Sequence, residues 1–135
     1  MKGQLPAQLD VLIVGAGISG LGAAVHLQQQ CPGQPCAIVE ALHSFGGTWL
    51  THQYPGIRSD SDLYTFGYRF KPWHGKPIAT APEILRYLGE VIEEHQLGPQ
   101  IHYGHKVMAA HWRSDVALWQ VEIEHCPVPD QPQLL

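Results

Sequence analysis

Positive charge is sparse in this sequence. Eight Lys and Arg stand against twelve Asp and Glu, for a net charge of −4, and the basic residues are scattered. With no basic stripe to neutralise phosphates, a nucleic-acid partner is not expected. Long apolar runs are also missing. None approaches the roughly 20 residues of a membrane span, so no transmembrane segment is expected. The first ten residues are interrupted by Gln4, Pro6, Gln8 and Asp10. They hold no apolar stretch of the signal-peptide kind, and a cytoplasmic location is expected. Cysteine is limited to Cys31, Cys36 and Cys126, an odd number without framework spacing. Free thiols fit that pattern better than disulfides. Nine histidines are present, with His102 and His105 three apart and His111 beyond. No carboxylate or cysteine cluster joins them, and no metal site is expected. At 135 residues there is room for one domain at most.

What is there has clear punctuation. Leu9 to Val14 reads Leu-Asp-Val-Leu-Ile-Val, the near-continuous apolar run of a strand buried on both faces, as in parallel sheets. Gly15 to Gly20 breaks it, and Ile18, Leu21, Ala24, Val25 and Gln28 then recur at helical spacing. Cys31-Pro32-Gly33-Gln34-Pro35 stops that helix, and Ala37 to Glu40 reads as a second short strand. Ala41 to Lys76 is rich in Gly, aromatic and polar residues with weak periodicity, a long loop of the functional kind. Thr80 is positioned to cap a helix opening at Pro82-Glu83, with Ile84, Leu85, Leu88, Val91 and Ile92 on one face. Gly98-Pro99 ends it. Ile101 to Tyr103, together with Val107, predicts a third strand. Ala109 to Trp112 and Trp119 to Ile123 flank Ser114-Asp115 as a hairpin. The predicted fold class is α/β, a Rossmann-like βαβ unit with parallel strands plus an antiparallel hairpin.

Gly15-Ala16-Gly17-Ile18-Ser19-Gly20 is a Gly-x-Gly-x-x-Gly loop. On its own such a loop says little, because glycine-rich turns are common. Here it follows a buried strand, opens an amphipathic helix, and precedes a strand that ends in an acid, Glu40. Gly15 allows the tight turn, Gly17 lets a diphosphate approach backbone N–H groups, and Gly20 lets helix and strand pack closely. The helix N-terminus adds partial positive charge, and Ser19 offers a hydroxyl donor. Glu40 would accept hydrogen bonds from the ribose hydroxyls of an adenosine and would repel a 2′-phosphate. The alternative for Glu40 is a strand-end acid facing solvent.

A plain NAD-linked dehydrogenase could present everything up to Glu40. The next segment separates the two readings. Phe45-Gly46-Gly47-Thr48-Trp49 is followed by Tyr54-Pro55-Gly56-Ile57-Arg58-Ser59-Asp60-Ser61-Asp62. With these motifs the chain, from Asp10 to about Glu124, resembles the class B flavin-dependent monooxygenases. Within them it is similar to Baeyer–Villiger monooxygenases of the ethionamide-activating type. The resemblance implies that residues 1–125 are the N-terminal part of an FAD-binding Rossmann-type domain, within an incomplete two-dinucleotide-binding-domain flavoprotein fold. Residues 126–135 are then an irregular tail at a truncation. It sets Gly47, Thr48 and Trp49 against FAD, although Trp49 also suits a core position. Asp60 matches a catalytic aspartate beside the isoalloxazine ring, paired in the family with a later arginine; the alternative is an Asx-turn residue. Arg58 and Ser59 match positions near the nicotinamide cofactor. Val107 matches a backbone contact to adenine, with strand core as its alternative. Ala41 departs from the pattern, because many flavoproteins carry a basic residue there.

The implied function is the FAD-binding part of an FAD-dependent, NADPH-using monooxygenase. Such enzymes carry out Baeyer–Villiger or heteroatom oxygenation of a small ketone or thio-compound through a flavin C4a-peroxide. The family's NADPH-binding unit and active-site arginine do not appear in the 135 residues, so the chain alone is expected to be inactive. A non-catalytic FAD- or nucleotide-binding fragment is the competing reading.

Overall fold

Gly15 turns the chain sharply at the end of its most apolar strand, and the core is organised around that turn. The computed structural model describes residues 4–127. Strands Val11–Val14 (β1), Cys36–Glu40 (β2) and Ile101–Tyr103 (β3) form a parallel sheet in the order β1-β2-β3. The register pairs Val14 with Val39 and Glu40 with Tyr103, so the C-terminal ends of all three strands lie along one edge. Between β1 and β2 runs helix Ile18–Gln30 (α1), which buries Leu21, Gly22, Ala24 and Val25. It ends where expected, at Cys31, before Pro32 and the positive-φ Gly33. The βαβ unit is therefore the predicted one.

Helix Ala81–Glu94 (α4) packs against α1, burying Ile84, Leu88 and Val91 completely. Its start is a full capping box. Thr80 Oγ1 accepts from the Glu83 N–H, and the Thr80 N–H donates to Glu83 Oε2. These helices, Ile38 and Ile101 share one apolar cluster with Leu63, Trp73 and Leu97.

The segment expected to be one long loop contains two short helices, Thr48–Thr51 (α2) and Leu63–Phe66 (α3). Its later part is held down by aromatic groups. The Tyr68 hydroxyl donates to the Ile18 carbonyl, at the first residue of α1. Its ring lies over Gly22, where a Cβ would come within 2.8 Å. Tyr87 Oη accepts from the Tyr68 N–H at 2.9 Å and donates to the Lys71 carbonyl at 2.6 Å. Burial pushes both tyrosine hydroxyls above the ordinary range.

The hairpin is longer than predicted and corrects the placement of Val107. Its strands are His105–Arg113 (β4) and Leu118–His125 (β5), and Val107 pairs with Ile123 inside it. The positive-φ Gly104 ends β3 after Tyr103, so Val107 belongs to the antiparallel ribbon, not to the parallel sheet. Of the predicted tail, residues 128–135 lie outside the described residues.

Candidate functional site

The C-terminal edge of a parallel sheet is where ligands of doubly wound folds bind, because loops diverge there and helix N-termini point inward. In this chain that edge carries a cleft of about 270 Å³. Its walls are two glycine loops. Val14, Gly15, Gly17, Ile18, Ser19 and Gly20 form one side, and Gly46, Gly47, Thr48 and Trp49 form the other. The sequence separates these loops by helix α1 and strand β2, and the fold joins them. Gly46 N–H donates to the Ala16 carbonyl at 3.0 Å.

Each glycine of the first loop has a distinct task. Gly15 has φ +102°, and its N–H donates to Val39 O at 2.8 Å, tying the turn to β2. A Cβ on Gly20 would lie 1.9 Å from the Gly15 carbonyl oxygen, so helix and turn could not come together. At Gly17 a Cβ would be only in ordinary contact, 3.6 Å from Gly47 Cα, but it would enter the cleft. Gly17 caps α1 without a side-chain hydrogen bond, and no acid occupies the first helical turn. The opening N–H groups of α1 thus have no intrahelical partner and no competing carboxylate. A diphosphate fits this cradle by charge, by donors and by clearance.

Glu40 is buried, at 8% exposure, which removes the solvent-facing alternative. Its Oε1 accepts from the Ala16 N–H at 3.0 Å and its Oε2 from the Leu42 N–H at 2.8 Å. Neighbouring Tyr103 has its hydroxyl pushed up by burial and, secondarily, by the Glu40 charge. Trp49 lines the cleft and also packs on the core cluster. Ser19 and Thr48 are exposed on the cleft wall.

Arg58, Ser59, Asp60 and Val107 are not among the residues lining this cleft. Ser59 is buried, with its N–H donating to Ala79 O at 2.9 Å and its Oγ accepting from the Ala79 N–H at 3.3 Å. Arg58 is exposed and bridges Thr80 through its backbone. Asp60 is exposed, and no hydrogen bond from its side chain is present among the described residues. The turn-capping acid is Asp62, whose Oδ1 accepts from the Thr65 N–H at 3.0 Å. The Asx alternative therefore belongs two residues later than Asp60. Sequence reasoning passed over Val14, Ile18 and Ala16 as site residues. Val14 carried a signal, being an apolar residue at the C-terminal end of a parallel strand; it is 64% exposed. Among the described residues no group of three or more His, Cys, Asp or Glu could hold a metal.

Comparison with known proteins agrees with this geometry. Over 118 residues the chain is 55% identical to the probable FAD-binding monooxygenase AlmA of an Acinetobacter species, covering 87% of this chain and 24% of that protein. It is 49% identical over 117 residues to the FAD-containing monooxygenase EthA of Mycobacterium tuberculosis, covering 86% and 24%. Its structure is similar to that of an oxidised steroid monooxygenase bound to NADP, with TM-score 0.79, 34% identity and coverage of 86% and 23%. It is also similar to OTEMO in complex with FAD and NADP, with TM-score 0.78, 30% identity and coverage of 92% and 24%. The chain thus spans about a quarter of the length of the relatives it matches. Residues 13–91, more than half of the chain, match the NAD(P)-binding Rossmann-like domain, and the chain belongs to that family.

Proposed function

We propose that this chain is the FAD-binding segment of an FAD-dependent, NADPH-using monooxygenase acting on a small ketone or thio-compound. The observation that carries the reading is the joining of two loops into one cleft. The Gly15–Gly20 loop would take a diphosphate in any dinucleotide-binding protein. The wall formed by Gly46, Gly47, Thr48 and Trp49 adds what a plain NAD site does not need, a second surface along the cofactor beyond the diphosphate. Similarity to proteins named as FAD-binding and FAD-containing monooxygenases supports the same reading.

The residues divide the work. Gly17 and the opening N–H groups of α1 would hold the diphosphate, with Ser19 adding a hydroxyl. Glu40 would accept from the adenosine ribose, using lone pairs not committed to Ala16 and Leu42. Backbone at Gly47 and Thr48 would follow the ribityl chain, and the Val107 backbone would meet the adenine. Asp60, unpaired and exposed, would act beside the flavin ring by setting the charge around a partner arginine. Arg58 and Ser59 would lie toward the nicotinamide cofactor. FAD supplies the redox and oxygen chemistry when bound. NADPH would be held by a second dinucleotide unit, since these 135 residues contain one Gly-x-Gly-x-x-Gly loop. A cytoplasmic setting suits the three free cysteines, Cys31, Cys36 and Cys126.

Titrating FAD, FMN, NADH and NADPH against the purified chain tests the assignment. FAD should bind most tightly, and NADPH should bind most weakly because its 2′-phosphate meets Glu40. Glu40→Ala should weaken FAD binding by ~1–3 kcal/mol, the scale of lost charge-assisted hydrogen bonds. Binding of NADPH as tight as that of FAD would overturn the proposal.

A further inference from the structure

Glu40 lies at the centre of a run of hydrogen bonds that crosses the ligand edge of the sheet. Gly46 N–H donates to the Ala16 carbonyl at 3.0 Å. The Ala16 N–H donates to Glu40 Oε1 at 3.0 Å, and the Leu42 N–H to Glu40 Oε2 at 2.8 Å. The Leu42 carbonyl in turn accepts from the Gly104 N–H at 3.0 Å, where β3 gives way to the hairpin. Ala16 is fully buried and Glu40 nearly so. A carboxylate in such a place must be matched by donors, and here each oxygen has one.

We infer that Glu40 is a positioning residue that sets both glycine loops before any ligand arrives, separately from its proposed contact with ribose. Its charge fixes the N–H of Ala16. The carbonyl of the same residue, in the next peptide group, accepts from Gly46, so holding Ala16 also holds the wall of Gly47, Thr48 and Trp49. On the other side the same carboxylate fixes Leu42, and through it the base of the hairpin. The inference rests on the nucleotide reading only for what the cleft is for; the positioning itself needs no ligand.

The isostere Glu40→Gln separates the two roles. Its side-chain amide has one acceptor oxygen and one donor nitrogen. Whichever way it is turned, an –NH₂ group faces the N–H of Ala16 or of Leu42, and one arm of the run is lost. The experiment is amide hydrogen exchange by NMR on the ¹⁵N-labelled chain without added nucleotide. In the parent, the Ala16, Leu42 and Gly46 amides should be protected. The Ala16 and Leu42 protons should also resonate downfield, as protons bonded to a carboxylate. In Glu40→Gln the amides of the broken arm, either Leu42 or Ala16 with Gly46, should exchange about tenfold faster or more, the scale of one lost buried hydrogen bond. The Ala16 and Leu42 protons should move upfield, while Leu88 and Val91 in α4 keep parent rates. Unchanged exchange and shifts in the variant would overturn the inference and leave Glu40 a ribose ligand alone. If the variant does not fold, the parent decides: exchange of Ala16 and Leu42 at free-loop rates would overturn it, and protection with downfield shifts would support it. Because no flavin is added, failure of FAD to bind would not alter any of these readings.

Discussion

Gly17 and Gly20 are glycines for different reasons, and substitution separates them. At Gly20 the obstacle is the protein's own backbone, since a Cβ would lie 1.9 Å from the Gly15 carbonyl oxygen. Gly20→Ala should therefore cost about 1–3 kcal/mol of stability, the range for forced overpacking, and lower the urea midpoint. An unchanged midpoint would show that helix and turn are not in close contact. At Gly17 the neighbour is another glycine at ordinary distance, so a side chain there fills the cleft and leaves the fold alone. Asp60 and Asp62 divide in a comparable way. Asp62 is used up in capping α3, whereas Asp60 keeps its carboxylate uncommitted. An acid held free beside a capped one is available for the electrostatic task proposed for it.

The elements differ in where their stability comes from. α4 rests on local rules: a capping box, Pro82 in its first turn, and an apolar stripe that reaches the core. Thr80→Ala should cost ~1 kcal/mol, the usual effect of losing an N-cap, seen as a lower thermal midpoint. No change would mean that tertiary packing alone starts the helix at Ala81. Because its rules are local, α4 was legible in the sequence, as were β1, α1 and β2. The four-residue helices α2 and α3 were not, being too short for periodicity. They are placed by distant contacts, such as Gly46 on Ala16 and the fully buried Leu63. Val107 was misplaced because a strand pattern carried on past Gly104, where the positive φ turns the chain from the parallel sheet into the hairpin. The glycine loop and Glu40 were legible as neighbours at the ligand edge of a βαβ unit. The backbone donors on Glu40 were not, since Ala16 lies twenty-four positions away and its orientation exists only in the fold.

Taken whole, the molecule has a well-covered centre and open margins. Strand β2 is buried along most of its length, while β1, the most apolar strand, pairs on one side only among the described strands. Trp112 and Trp119 meet across the hairpin and remain 51% and 64% exposed. The sequence carries one Gly-x-Gly-x-x-Gly loop, and its proposed occupant is FAD. Supplied with excess FAD, it should consume NADPH no faster than free flavin does; flavin-dependent turnover above that control would refute the division of labour proposed above. The central claim, that the cleft between the two glycine loops holds the diphosphate of FAD, is tested most directly by titrating FAD into the parent chain and into Gly17→Val while following flavin fluorescence. The account predicts saturable binding to the parent and none to the variant, with both giving the same far-ultraviolet circular dichroism. Equal binding by the two chains would contradict it.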